Sequence, residues 1–507
     1  MKKLPLGKSD FKDIIQNNFV YVDKTKYIYD LIESGDVFFL SRPRRFGKSL
    51  TVSTLYYLFK GEKELFKDTW IYDKWNWEKW PVLKIDMSEV NPSYKYLIKS
   101  LEFNIKRWGK DFGIVVEGPT YSDMFGDLIE KIHEKYRKNI VVLIDEYDAA
   151  LLSNLTDKGL EEIREIMGNF YVQIKNHQEI IRFVFITGIS KFSKVSIFSK
   201  MNNLIDLTMN EEYSTMFGYV EEEIDRYYRE HIEVVKERLN MSEEEFWEKI
   251  REWYNGYSWD GKNKVYNPDS ITRFFFEKDF QNYWFSTGTP TFLVNYIKRK
   301  GVAQLSQKEY SVVDINSYEI EDAPLSIFLW QAGYLTVVDK NKSLGYITFD
   351  YPNREVKQSF SRLIASQLLN IETVQTTKEL IETYRRNAWK EFVDIINKRL
   401  SEIPYTMIRQ FKTEGHWQTL MYMILSAVFG NVIAEEMSYK GRADLVVIYD
   451  NKVLVIELKM DKSAKEAIKQ IKDRGYADKY RGKEVWIMGM NIDSRQRKIV
   501  EYLVEKR

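Results

Sequence analysis

Two groups of residues in this chain have the types and spacing that phosphate chemistry requires. The first is Gly47-Lys48-Ser49, which follows the apolar run VFFL and opens the helical stretch LTVSTLYYLF. It matches the end of the G-x-x-x-x-G-K-[ST] pattern in a strand-loop-helix context. In such a loop the glycine lets the backbone approach phosphate, Lys48 reaches the outer phosphates and Ser49 ligates Mg²⁺. Arg42 occupies the first-glycine position, so a helix start with an incidental lysine is the alternative.

An acidic element further along the chain supports a nucleotide site. The run NIVVLIDEYD is an apolar strand that ends in Asp145 and Glu146. Asp145 is placed to hold the Mg²⁺ shell and Glu146 to orient the attacking water, unless the two are merely solvated carboxylates after a buried strand. Because both elements occur in order within one α/β region, together they predict an ATP site. Ser190, after the strand RFVFITG, is a candidate contact to the γ-phosphate.

Arginines crowd the loop that precedes the helix. Arg42, Arg44 and Arg45 all lie within RPRRFGKS. Arginine binds phosphate in bidentate geometry, so these side chains are suited to clamping a nucleotide or contacting nucleic acid. A solvated basic loop explains them equally well, and the sequence leaves both interpretations open.

The second group lies in NVIAEEMSYKGRADLVVIYDNKVLVIELKM. Asp444 opens one apolar strand, and a short turn leads into a second, so the two are expected to form a hairpin. Since strand side chains alternate, Glu457 and Lys459 share a face. With Asp444 they supply two carboxylates for a divalent metal and a lysine to position or deprotonate water or to stabilise phosphorane-like charge. The alternative is a charged pair at the end of a sheet.

A basic helix is expected directly after this group. Its alanines and isoleucines form an apolar stripe, and lysines follow another face at helical spacing: Lys462, Lys465, Lys469 and Lys472. A basic ridge beside a metal site suits a phosphodiester backbone. A lysine face that only increases solubility is an equally good interpretation.

Composition restricts the chemistry further. The chain has 507 residues and a formal net charge of +1, so no global field attracts polyanions and any nucleic-acid binding needs local basic patches. Cysteine is absent, which excludes disulfides, thiolate zinc sites and thiol nucleophiles. Metal chemistry would therefore use oxygen ligands or the 4 histidines, which favours Mg²⁺ or Mn²⁺. Neither a signal peptide nor an apolar span is evident, so a cytoplasmic protein without a membrane partner is expected.

Three segments that differ in texture give the domain prediction. Residues 1–209 alternate apolar strands with helices and predict a P-loop-type parallel sheet, covered on both faces. Residues 210–389 predict a helical middle or lid region with aromatic turns such as WYNGYSWDG, which favour core packing over base stacking. Residues 390–507 predict a second α/β domain. The overall fold class is α/β.

The motifs also resemble a known family. LPLGKSDF, YVDKTKYI, RPRRFGKSL, VVLIDEYD, FITGISKFS and YWFSTGTP are similar to the prokaryotic AAA-ATPase-like proteins. GRADLVV, VLVIELK and AIKQI resemble the PD-(D/E)xK nuclease superfamily domain, which has a restriction-endonuclease-like fold and commonly follows. The resemblance covers nearly the whole chain. It implies ATP binding and a metal-dependent nuclease fold, with suspected roles in phage defence or mobile elements.

The resemblance also assigns residues. Its modified phosphate loop makes Arg42 the family's own form, and its nuclease motif adds Glu435 as a metal ligand before the strand. Glu436 and Glu414 are alternative acids, and Gln470 lies on the following helix. The candidate nucleotide-binding residues are Arg42, Arg44, Arg45, Phe46, Gly47, Lys48, Ser49, Leu50, Asp145 and Ser190. The candidate catalytic residues are Glu146, Asp444, Glu457 and Lys459; the candidate metal ligands are Ser49, Asp145, Glu435, Asp444 and Glu457.

Three functions follow as hypotheses. The first is an ATP-binding and ATP-hydrolysing protein whose Mg²⁺-dependent nuclease domain cleaves DNA or RNA, with DNA favoured. The second is a nucleotide-switched protein that binds nucleic acid or a partner without cleavage. An ATP-driven motor is a weaker third idea, because no helicase motif series or arginine finger is evident. A homo-oligomer is compatible with either of the first two.

Overall fold

The computed structural model of this chain describes most of its length. Described are residues 1–155, 159–191, 201, 203–284, 291–301, 304–305, 308–315, 318, 322–341, 343–438, 441–480 and 482–507. Within those ranges the side chains of residues 291–292, 314, 435–438 and 441–442 are not described.

A parallel sheet organises the N-terminal segment. Its strands are β1 (Val37–Ser41), β2 (Val82–Asp86), β3 (Ile140–Asp145), β4 (Ile181–Gly188) and β5 (Ile205–Asp206). They lie in the order β2-β3-β4-β1-β5, with every neighbouring pair parallel. β1 and β3 are buried along their whole length, so their sequences are continuously apolar rather than alternating. Since β4 separates β1 from β3, the carboxyl ends of all three meet at one edge of the sheet.

Helices connect and cover these strands. They are α1 (Phe11–Gln16), α2 (Thr25–Ser34), α3 (Lys48–Phe59), α4 (Tyr94–Asp111), α5 (Tyr121–Tyr136), α6 (Ala149–Ser153) and α7 (Leu160–Asn176). α3 packs on β2, β3 and β4, while α4, α5 and α7 pack on one another. The sheet therefore holds the start of α3 next to the ends of the strands that carry the candidate acids.

The middle of the chain is mainly helical. Its helices are α8 (Glu221–Leu239), α9 (Glu243–Tyr254), α10 (Pro268–Glu277), α11 (Thr291–Lys300), α12 (Val312–Ile315), α13 (Leu325–Gln331), α14 (Arg354–Leu363) and α15 (Thr373–Arg386). A small antiparallel sheet is added, in the order β6-β8-β7, from β6 (Glu309–Ser311), β7 (Thr336–Asn341) and β8 (Tyr346–Asp350). The aromatic turn around Tyr254 and Tyr257 is buried, as the core interpretation expected.

A mixed sheet organises the C-terminal segment. The helices α16 (Trp389–Glu402), α17 (Tyr405–Ile408) and α18 (Glu414–Phe429) precede β9 (Val432–Ser438), β10 (Gly441–Tyr449) and β11 (Lys452–Met460). Then come α19 (Ala464–Arg474), β12 (Glu484–Asp493) and β13 (Lys498–Lys506). The order is β13-β12-β11-β10-β9, with β11 and β12 parallel and the other pairs antiparallel. The expected hairpin is β10–β11, and Asp450 adopts a positive φ of 53° in its turn.

The predicted fold class is confirmed: a parallel N-terminal sheet, a helical middle and a C-terminal mixed sheet give an α/β protein. The chain divides into two compact units, Met1–Tyr283 with Glu309–Asn353, and Trp284–Lys308 with Arg354–Arg507. The domain limits at 209/210 and 389/390 remain a prediction. Among the described residues, no helix combines the length and apolar character needed to span a membrane.

Candidate functional site

The backbone between β1 and α3 forms a tight loop. Arg45 and Gly47 both have positive φ, 67° and 89°, and α3 begins at Lys48. Such left-handed backbone favours glycine, and a Cβ on Gly47 would meet no atom within 4 Å, so the requirement there is conformational rather than steric. Backbone N–H groups at the start of a helix attract anions, so the loop has the form of a phosphate-binding site.

Lys48 is buried at the start of α3, and its ammonium faces the loop. Its Nζ donates to the carbonyl oxygens of Arg42 and Pro43, each at 3.0 Å. Burial lowers the pKa of Lys48, while the carboxylates of Glu146 and Asp145 raise it. The ammonium therefore lies within electrostatic reach of both predicted acids, and a phosphate could compete for it against two neutral carbonyls.

The predicted acids lie together at the end of β3. Asp145 is buried and its pKa is raised by burial, against a hydrogen bond from Ser49 that lowers it. Glu146 has a positive φ of 53°, and burial raises its pKa while Lys48 lowers it. Asp86, which pairs with Asp145 across β2 and β3, adds negative charge. Crowded carboxylates of this kind are stabilised by a cation.

Asp148 is a buried acid that sequence analysis missed. Its Oδ2 accepts hydrogen bonds from the backbone N–H of Ile189 at 3.0 Å and of Ser190 at 2.7 Å, and from the Ser190 hydroxyl at 2.6 Å. The hydroxyl expected to contact a γ-phosphate is thus engaged with Asp148. The carboxylate fixes the chain just after β4, next to the end of β3. The only signal in the sequence was that Asp148 is a third acid in DEYD, after Asp145 and Glu146.

The arginines of the loop have three different environments. Arg42 is fully buried, donates to the carbonyl oxygens of Ser41 and Thr208 at 2.9 Å, and stacks its guanidinium 4.0 Å from the Trp259 ring centroid. Burial lowers its pKa to about 9. The buried Arg42 side chain therefore holds the loop against the rest of the fold. The interpretation in which Arg42 clamps the phosphates of a nucleotide is wrong for this side chain.

Arg45 and Arg44 lie nearer the surface. Arg45 pairs with Asp269 at 3.1 Å and donates to the carbonyl oxygen of Tyr283 at 3.3 Å. Arg44 is exposed and close enough to Glu146 to lower the pKa of that carboxyl. Arg44 is therefore the arginine of this loop best placed for an incoming anion.

A cavity of about 380 Å³ opens in front of the loop. Its walls include every predicted loop residue from Arg44 to Leu50, together with Glu146, the N-terminal segment around Tyr21 and the residues Met216–Tyr219. Phe46 also packs edge-on against Tyr257 at 4.8 Å, which anchors the loop to the aromatic turn. This volume lies within the range of small-molecule sites.

In the C-terminal unit, β10 and β11 bring the second group together. Glu457 is fully buried, and burial together with the nearby Asp444 carboxylate raises its pKa to about 7. The Asp444 backbone N–H donates to Glu457 Oε2 at 3.4 Å, and Asp444 Oδ2 accepts from the Leu458 N–H at 2.7 Å. The hairpin register thus places the two carboxylates side by side.

Lys459 lies on the same face and joins two acids. Its Nζ is 3.1 Å from Glu457 Oε1 and 3.4 Å from Glu414 Oε1. Burial lowers the pKa of Lys459, but the attraction of these carboxylates outweighs burial, so the pKa is raised. Glu414, an alternative acid in the sequence, also accepts from the Met460 N–H at 3.2 Å.

Gln418, one turn along α18 from Glu414, was not identified from sequence. Its Nε2 donates to both the carbonyl and the Oδ1 of Asp444, each at 3.3 Å. The i, i+4 spacing of Glu414 and Gln418 on α18 was the available signal. The helix therefore positions both the lysine and one of the carboxylates.

Three other predicted residues of this site, Glu435, Glu436 and Gln470, have no described contact with Asp444, Glu457 or Lys459. The side chains of Glu435 and Glu436 lie outside the described residues. No cluster of three or more His, Asp or Glu side chains with metal-binding geometry occurs among the side chains that are described. Gln470 lies with Lys459 in an open cleft of about 580 Å³ along α19, also lined by Lys462, Lys469, Arg474 and Tyr476.

Comparison with known proteins found a family match for each of the two parts of the chain that carry these groups. The family described as "Predicted AAA-ATPase" matches residues 5–198, and the PD-(D/E)XK nuclease superfamily matches residues 412–502. A protein of Azotobacter chroococcum mcd 1, described as an uncharacterized protein in the vnfD 5' region, is 33% identical over an alignment 528 residues long that covers 99% of each chain.

A solved structure also aligns, an ORC2 protein of Aeropyrum pernix in ADPNP-ADP complexes. It shares 12% identity with a TM-score of 0.27, covering 65% of this chain and 87% of that one, which is too slight a likeness to inform fold or function. The two family matches, together with the relative that aligns over 99% of each chain, identify the family. The chain belongs to the AAA-ATPase-like family and carries a PD-(D/E)XK nuclease superfamily domain at its C-terminal end.

Proposed function

We propose that this chain binds and hydrolyses ATP at the phosphate loop and cleaves phosphodiester bonds in nucleic acid at its C-terminal site, with Mg²⁺ or Mn²⁺ in both. DNA is the expected substrate ahead of RNA. The observation that carries the cleavage function is the buried Glu457, whose pKa is raised to about 7 beside Asp444, with Lys459 on the same face.

The nucleotide half of the proposal rests on the contacts at α3. Backbone N–H groups around Gly47 and the Lys48 ammonium would hold the outer phosphates, and Phe46 and Leu50 line the same cavity. The Ser49 hydroxyl, already bonded to Asp145, would join that carboxylate in holding the cation. Glu146 would orient water, since Lys48 partly offsets the burial that raises its pKa.

The nuclease half of the proposal rests on the unfavourable free energy of holding the Asp444 and Glu457 carboxylates close together in a buried place. A buried carboxylate next to another negative group is unfavourable unless a cation compensates it. Asp444 and Glu457 fit a divalent metal by this test, and Glu435 would be the third acid. Bound there, Mg²⁺ would supply Lewis-acid stabilisation of the phosphoryl oxygens.

Lys459 has a separate role in the proposal. Because its pKa is raised, its ammonium stays charged at neutral pH and suits stabilisation of negative charge on the phosphate rather than proton removal. Glu414 and Glu457 hold that charge in place. Gln418 positions Asp444 through its two hydrogen bonds.

Cleavage assays on plasmid, single-stranded DNA and RNA test the proposal directly. Purified protein is incubated with each substrate, with and without ATP and with Mg²⁺ or Mn²⁺. We expect metal-dependent cleavage that Asp444→Ala and Lys459→Ala abolish, while Glu382→Gln, an exposed acid of the same unit, cleaves like the wild type. Full activity in either active-site variant would contradict the assignment.

The nucleotide-switched binding protein remains the competing function. It predicts that the wild type binds nucleic acid in an ATP-dependent manner yet leaves every substrate intact in both metals. ATP binding by the wild type and its loss in Lys48→Ala are expected under both functions, so cleavage alone separates them.

A further inference from the structure

Helix α4 presents a basic face with exposed aromatic rings that no candidate site uses. Its sequence, YKYLIKSLEFNIKRWGKD, carries five basic and two acidic residues. Leu97, Leu101, Ile105 and Trp108 are buried against the rest of the unit, so the helix is anchored by its apolar side. Among the residues that the structure describes, the opposite side carries exposed side chains.

The basic face is a single line of side chains. Lys95, Lys99, Phe103, Lys106 and Lys110 follow one another at intervals of four, four, three and four residues, which places them along one stripe of an α-helix. At a rise of about 1.5 Å per residue the stripe is about 22 Å long. All five side chains are exposed.

The charge of the stripe is not neutralised within the described part of the chain, where none of its four lysines forms an ion pair. Arg107, on the flank of the helix, pairs with Glu89, so it does not contribute free charge. One acid, Glu102, lies at the edge of the stripe. Because the whole chain has a net charge of only +1, a local line of four cations is a distinct electrostatic feature.

Aromatic rings interrupt the lysines. The side chain of Phe103 is 67% exposed and that of Tyr96 is 48% exposed, with Lys95 Nζ 5.4 Å from the Tyr96 ring centroid. Exposing such apolar surface to water is unfavourable, so both rings are suited to contact with a partner. Lysines alternating with rings match a backbone of phosphates that carries unstacked bases.

We infer that this face of α4, the α4 stripe, binds single-stranded nucleic acid. A single strand fits better than a duplex because only unpaired bases can lay their faces on Phe103 and Tyr96. The inference gives the ATPase-like unit its own nucleic-acid contact and does not require the C-terminal site to cleave.

Binding by the full-length protein tests it. Anisotropy of a labelled oligothymidylate and of a matched duplex is measured over a range of salt concentrations in EDTA, so that cleavage plays no part. The stripe variant replaces its four lysines with glutamine, a comparable helix former: Lys95→Gln, Lys99→Gln, Lys106→Gln and Lys110→Gln. The control removes the same charge from scattered exposed positions: Lys2→Gln, Lys26→Gln, Lys67→Gln and Lys264→Gln.

We expect the stripe variant to lower the slope of log affinity against log salt by about 0.7 for each lysine that contacts phosphate. The control variant should keep the wild-type slope. Phe103→Leu keeps an apolar side chain but removes the ring, and should weaken oligothymidylate about tenfold with little effect on the duplex. Phe103→Trp should restore the affinity.

Three results would overturn the inference. One is a stripe variant with the wild-type slope. This includes the case in which binding is abolished only by Lys465→Gln, Lys469→Gln and Lys472→Gln on α19, and the proposed nuclease function would then still stand. Another is a control variant whose slope falls as much as that of the stripe variant, which would mean that net charge alone determines the salt dependence of binding. The third is binding of phosphatidylserine vesicles without any binding of oligothymidylate.

Discussion

Replacing Glu457 with glutamine removes one negative charge from the acid pair while keeping the shape of the side chain. The amide oxygen can still accept a hydrogen bond from Lys459, which is 3.1 Å from Glu457 Oε1 in the wild type. The repulsion between Glu457 and Asp444 and the cost of burying the charge disappear. The substitution therefore isolates the electrostatic cost on which the proposed metal site depends.

The size of that cost follows from the pKa. Glu457 titrates at about 7 in the folded chain against a reference of 4.5. At about 1.4 kcal/mol per pKa unit, the ionised carboxylate destabilises the metal-free fold by about 3 kcal/mol at pH 8. Because the folded pKa is raised, the folded state holds a proton that the unfolded chain releases. The associated stability is complete below about pH 4.5 and is lost as the pH rises through about 7.

Chemical denaturation of the full chain at pH 4 and pH 8, in EDTA and in Mg²⁺, measures the effect. We expect the free energy of unfolding of Glu457→Gln to exceed that of the wild type by about 3 kcal/mol at pH 8 and to match it at pH 4. Mg²⁺ should stabilise the wild type at pH 8 and have little effect on the variant. Glu382→Gln, an exposed acid of the same unit, should show no such dependence on pH.

A Glu457→Gln protein no more stable than the wild type at pH 8 in EDTA would refute the reasoning. It would mean that the Lys459 ammonium already offsets the repulsion between Asp444 and Glu457, so that the pair has no electrostatic need for a further cation. Equal stabilisation of both proteins by Mg²⁺ would place the metal elsewhere.

Three further outcomes are expected. Lys48→Ala should weaken ATP binding, measured by titration calorimetry, at least about tenfold, while metal-dependent cleavage without ATP is unchanged; wild-type affinity would remove Lys48 from the nucleotide site. Arg42→Lys should lower the free energy of unfolding by about 2 kcal/mol, because lysine cannot reproduce the paired donors or the stacking on Trp259; a neutral result would show that the buried guanidinium is dispensable. Gly256→Ala should reduce stability and soluble yield, since its Cβ would approach the Pro352 carbonyl oxygen at a φ of +127°; wild-type melting would contradict this.

Much of the fold was predictable from local patterns. The apolar run before Gly47 and the glycine itself favour a strand, a loop with left-handed backbone and then a helix, as the structure has them. The alternation in KVLVIELKM puts Glu457 and Lys459 on one face for the same reason, since the pleat has a period of two. Backbone geometry of this kind is set by neighbours in sequence.

The partners of the side chains were decided only by tertiary structure. Arg42 looked like a phosphate ligand, yet contacts with Thr208 and Trp259, more than 160 residues away, hold its guanidinium inside the fold. Gln418 acquired a role only when α18 packed against β10. Sequence spacing determines which face a residue occupies, but a charged group takes the partners that satisfy it in a buried environment, and those come from distant segments.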